Sequence, residues 1–147
     1  MRAALAGAAT VVLLAAMPGM AHSQRARAGV ACPPQYRALV NALTVIDGRL
    51  SLGLNHANYQ SYLAKAQIAY NQTPFKSAPI TCVALIGVPA ERALNDYLKA
   101  NKSWAACLSR VALSARPNCQ SGPGYGSRRV YWSDASKNIS KAVNNLD

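Results

Sequence analysis

A chain of 147 residues with 51% apolar side chains has room for one domain around a single core, which excludes a multidomain assembly. Its 16 lysines and arginines against 5 aspartates and glutamates give a formal charge of +11. Such an imbalance favours anionic partners and bears on association and solubility, not on fold.

The chain opens with the layout of a secretory signal. Arg2 precedes an almost uncharged apolar run from Ala3 to Met17, then a Pro18-Gly19 break and the small residues Ala21 and Ser23. A membrane-spanning helix needs about 20 apolar residues. This run stops short at Pro18, so residues 1–23 are expected to be cleaved and no transmembrane anchor is expected. Losing Arg2 with the signal leaves +10, one less than the +11 of the whole chain. Residues 24–33 read as a flexible basic leader, and residues 34–147 as a single helical domain. Within the leader, Arg25 and Arg27 put charge between the apolar run and Gly29-Val30-Ala31-Cys32, which argues against acylation of Cys32.

Helical spacing starts after Pro33-Pro34. Leu39, Leu43, Ile46 and Leu50 recur at four, three and four residues, one stripe of a helix. Tyr59, Leu63, Ala66 and Tyr70 make a second stripe, almost opposite the first when projected at 3.6 residues per turn. The spacing therefore predicts a break at Gly53-Leu54-Asn55, with Asn55 capping helix two. One long helix is the alternative, since Val45, Leu52, Tyr59 and Ala66 form a heptad series through the break. From Thr73 to Pro89 the period disappears, and Pro74, Pro79, Gly87 and Pro89 punctuate the stretch. Ile80 to Ile86 is read as a packed connection that could hold one helical turn, tied down by Cys82.

Helix three is expected from Pro89, burying Leu94, Leu98, Ala105 and Leu108, with Tyr97 and Trp104 flanking that side. Glu91 falls in its first turn, where the helix dipole favours an anion. Residues 116–127 hold two prolines and three glycines and read as a loop. Helix four follows from about Ser127, with Trp132, Ala135, Ile139, Ala142 or Val143, and Leu146 on one stripe and Asp134 as an early-turn dipole partner. The fold class is all-α: about four helices in an antiparallel bundle.

Cys32, Cys82, Cys107 and Cys119 all follow the signal, and an even count in an exported chain reads as two disulfides. Up-and-down topology places Cys32 and Cys82 at one end and lets Cys107 and Cys119 bracket the turn at the other. The expected pairs are therefore Cys32 with Cys82 and Cys107 with Cys119.

No catalytic residue, cofactor or metal site is expected. After the signal there is one histidine, His56, in the expected turn with no acid at a telling spacing, and it reads as a solvent-facing or capping residue. Glu91 and Asp96, five apart, lie on different helical faces, and no nucleophile elbow, phosphate-binding loop or paired metal-ligand motif occurs. One candidate site remains. Gly124, Gly126, Ser127, Arg128 and Arg129 combine a glycine loop, free amides at the start of helix four and two guanidinium groups, an arrangement that could hold a phosphate or sulfate. In the competing reading the glycines make the turn and the arginines point to water. Arg128, Arg129, Tyr131 and Trp132 also suggest a basic-aromatic patch, but Trp132 is on the apolar stripe and the other basic residues are scattered, so nucleic acid is not the expected partner.

The string from Ile46 to Asn55, then Tyr59, Ala69-Tyr70, Pro74-Phe75, Cys82, Gly87-Val88-Pro89, Glu91 to Asn95, Tyr97, Ala100 and Trp104 to Cys107, with Cys119 and Trp132, resembles a group of small exported bacterial proteins of actinobacterial type. The resemblance covers most of residues 46–143. It implies export, helicity and disulfides and supplies no activity. The functional expectation is a secreted, non-enzymatic binding or envelope-associated module. Its partners would be anionic envelope polymers or lipid head groups or, as the alternative, another exported protein that it engages or inhibits; a hydrolase ranks third.

Overall fold

Two prolines at an entrance where an amide would go unpaired start the first helix, α1 (Pro34–Ser51). The computed structural model describes residues 31–111, 119 and 125–146. The expected signal, most of the leader, and Gly124 lie outside the described residues. Helix α1 buries Leu39, Leu43 and Ile46 of the expected stripe, together with Tyr36 and Val40, while Leu50 is half-buried. It ends where Gly53 takes a φ of 87°, a conformation that favours glycine. Asn55 then caps α2 (His56–Gln72), its Oδ1 accepting the Asn58 N–H at 2.8 Å. Helix α2 buries Tyr59, Leu63 and Ala66, so the break between two helices holds.

The stretch read as a packed connection is helical. A short turn, α3 (Ile80–Cys82), runs through a π-helical turn over Val83–Gly87 into α4 (Val88–Val111). Pro89 explains the widened turn: a proline inside an α-helix loses a hydrogen bond to the carbonyl four residues back and its ring clashes with that carbonyl. In the π turn the Val88 N–H bonds instead to the Val83 carbonyl, five residues back. The Leu85 carbonyl, which Pro89 cannot serve, is approached by the Asn145 side-chain amide at 3.5 Å.

The buried side of α4 also differs from expectation. Ala90, Ala93, Leu94, Tyr97 and Ala100 are buried, whereas Leu108 is 38% exposed. Small alanines let neighbouring helices approach, and the Tyr97 hydroxyl finds an acceptor inside, so the ring sits in the core and not beside it. Helix α5 (Tyr125–Val143) begins two residues before the expected start and buries Arg128, Ala135, Ile139 and Ala142. Residues 125–127, expected in the loop, form its first turn. Asp134 is therefore mid-helix, and its partner is Lys137 at 3.0 Å, not the helix dipole.

Contacts between helix ends fix an antiparallel bundle of four long helices. The Cys32–Cys82 disulfide, with Cα atoms 5.6 Å apart, joins the start of α1 to α3, and Arg37 Nη2 donates to the Leu146 carbonyl beyond α5. At the opposite end His56, at the start of α2, meets Asn101 of α4, and the Cys107–Cys119 disulfide ties α4 to the segment before α5, Cα atoms 5.8 Å apart. Both pairings are those the topology proposed. Among the described residues no helix is long and apolar enough to cross a membrane.

Candidate ligand cavity

Where α1 ends and α5 begins, the helices do not close completely. A half-enclosed cavity of about 350 Å³ lies there. Leu50 in the last turn of α1, with Gly53 and Leu54 between α1 and α2, supplies one wall. Trp104 of α4 and Trp132 and Tyr125 of α5 supply the other, with Arg128 and Cys119 completing it.

The aromatic wall continues into the core. The Trp104 and Trp132 rings meet edge to face at 5.7 Å, and Tyr59 packs against both. Behind them runs a chain of polar contacts through all four long helices. Trp132 Nε1 donates to the Tyr59 hydroxyl at 3.4 Å, and that hydroxyl donates to the Tyr97 carbonyl at 2.9 Å. The Tyr97 hydroxyl donates to Asp47 Oδ1 at 3.3 Å, and Ser136 Oγ donates to Asp47 Oδ2 at 3.2 Å. Burial raises the pKa of the Tyr59 and Tyr97 hydroxyls well above the usual tyrosine value, and the Asp47 carboxylate raises that of Tyr97 further. These phenols therefore act as neutral donors that hold the indole wall in place.

Arg128 is the unusual member. It is only 2% exposed. Its guanidinium carbon lies 5.6 Å from the Trp104 ring centroid and 5.5 Å from that of Tyr125, within cation–π reach of both. Nη2 donates to the Cys119 carbonyl, while Nε and Nη1 are buried without a partner among the described residues. Desolvation pulls its pKa down, though an arginine stays protonated at any ordinary pH.

The structure separates the two arginines of the sequence-based candidate site. Arg128 turns inward, so the alternative in which both point to water fails for it. Arg129 is exposed, and its guanidinium carbon lies 6.0 Å from the Tyr125 ring centroid. Gly126 and Ser127 are exposed in the first turn of α5. The sequence reading missed Trp104, Leu50 and Leu54 as neighbours of this site. A signal was present: extending the α5 stripe backwards from Trp132 by four residues reaches Arg128, and by three more Tyr125.

His56 is half-buried. Its ring sits 5.2 Å from Trp104 and its Nε2 lies 3.0 Å from Asn101 Oδ1, so it braces the outer side of the same wall. Among the described residues no group of three or more His, Cys, Asp or Glu side chains could hold a metal ion. Comparison of the chain with protein families, curated proteins and solved structures found no match.

Proposed function

We propose that this chain is an exported, non-enzymatic binding module of the cell envelope, held by its surface charge to anionic wall polymers or lipid head groups. The observation that carries the reading is the fate of the acids. Asp96 and Asp134 are each paired with a lysine one turn on, at 3.0 Å. Asp47 faces inward to Tyr97 and Ser136, and Glu91 stands beside the Tyr70 hydroxyl, whose pKa it helps burial to raise. Basic side chains such as Arg49, Lys65, Lys76, Arg92, Lys102 and Arg110 are exposed on α1, α2, α4 and the α2–α3 connection. Two disulfides support export, because such bonds persist in oxidising compartments.

The test is retention on vesicles of phosphatidylglycerol mixed with phosphatidylcholine, against phosphatidylcholine alone, and on purified anionic wall polymer. Binding should require the anionic component and fall steeply with salt, since the screening length shrinks from ~10 Å at 0.1 M to ~3 Å at 1 M. Retention that ignores salt would replace this reading with the grip of another exported protein. Export is checked by mass spectrometry of the amino terminus of protein recovered from its host, with cleavage after Ser23 expected.

A further inference from the structure

We propose that the cavity beside Arg128 binds a small organic carboxylate with an aromatic or compact apolar body. This site is separate from the surface charge invoked above and does not depend on it.

Burying a cation is costly unless it is paired and its donors are satisfied. Arg128 has neither condition met: among the described residues two of its three nitrogens lack a partner and no acid lines the cavity. Replacing it with an apolar side chain of similar size would remove that cost. Its position in the wall of a cavity is therefore better explained by an anion brought in from outside than by stability.

The wall then specifies the rest of the ligand. Trp104 and Tyr125 already face the guanidinium, so a head group must approach its edge, where the N–H donors lie. Beyond the head group the described lining includes Leu50, Leu54 and the Trp132 indole, which favours a flat or compact apolar body over a second polar group. A volume of about 350 Å³ is at the small end for ligand sites. It suits a single ring on a short chain, not a polymer or a lipid tail. A bare inorganic anion would satisfy the arginine and leave the apolar wall uncovered.

The chain carries two tryptophans, and both line this cavity, so their emission reports on it directly. The probe is 3-phenylpropionate titrated into the full disulfide-bonded protein, with 3-phenylpropanol as the uncharged match and acetate and sulfate as head groups alone. The expected result is a saturable change in tryptophan emission with phenylpropionate. The alcohol should bind at least about tenfold more weakly, the loss expected for a hydrogen bond to a charged group. Acetate and sulfate should compete poorly. In Arg128→Met the acid and the alcohol should bind alike. No saturable change, or equal binding of acid and alcohol to the unaltered protein, would overturn the proposal. Sulfate competing as well as phenylpropionate would also overturn it, by showing a plain anion site. Should Arg128→Met fail to fold by circular dichroism, the acid-against-alcohol comparison decides alone. Vesicle retention is measured separately, so either reading can fail without the other.

Discussion

At the Cys32–Cys82 end, Phe75 packs between Tyr36 and Tyr70, with ring centroids 5.6 and 4.9 Å away, and the bare backbone of Gly87 comes up against Phe75 and Tyr36. The Cys107–Cys119 end uses the same materials, rings and a disulfide, yet leaves a cavity around a cation. The difference lies in what each end sets against its rings. A glycine lets main chain fill the space between them, whereas a bulky arginine stacked on Trp104 and Tyr125 stands in the wall of the cavity. Aromatic side chains close a bundle only when the facing residue is small enough to let them in.

Removing each disulfide should sharpen the contrast most. Cys32→Ala with Cys82→Ala opens a link spanning 50 residues, against 12 for Cys107→Ala with Cys119→Ala. Loop-closure entropy alone predicts losses of about 4 and about 3 kcal/mol, readable by denaturant unfolding. A larger loss for the second pair would reverse the ranking of the two ends. Alkali attacks the region between them. Unfolded tyrosines ionise near ~10, and burial raises Tyr59 and Tyr97 above that. Their stabilising contribution is thus complete below pH ~10 and is lost as pH rises beyond it, at about 3 kcal/mol per pH unit for the pair. Stability flat from pH 9 to 11 would show that these hydroxyls are not buried as described.

Gly87→Ala tests the closed end more finely. Its Cβ would meet Phe75 Cε1 at 3.0 Å and Tyr36 Cε1 at 3.1 Å, an overpacking expected to cost about 1–3 kcal/mol. The smallest effect should have the opposite sign. Arg128→Met removes a buried cation whose Nε and Nη1 lack partners among the described residues, so the melting temperature should stay level or rise, by an amount worth no more than about 1 kcal/mol. A clear drop would mean that the arginine is there for stability after all.

Much of this architecture could be read from local spacing. The α1 and α2 stripes, the turn at Gly53, the Asn55 cap and the two cysteine pairs depend on near neighbours or on the bundle's up-and-down path. The π turn could not be read that way, because Gly87 and Pro89 normally end a helix. Here a wider turn accommodates the proline, and a glycine is needed only because Phe75 and Tyr36 arrive from elsewhere in the chain. Helical spacing sets Tyr97 only beside the buried side; the acceptor that lets its hydroxyl go inside, Asp47, lies 50 residues away. The charge of Arg128 points to an anion or to water, although its place in the heptad-like series with Tyr125 and Trp132 puts it inside.

Four antiparallel helices bring the end of α5 back beside the start of α1, and the Arg37–Leu146 contact shows how near the two come. The cavity is at the far pole. A surface tether attached at the start of α1 or at the end of α5 would therefore lie away from the cavity mouth, and a molecule fixed to a support through that pole would present its opening to the medium.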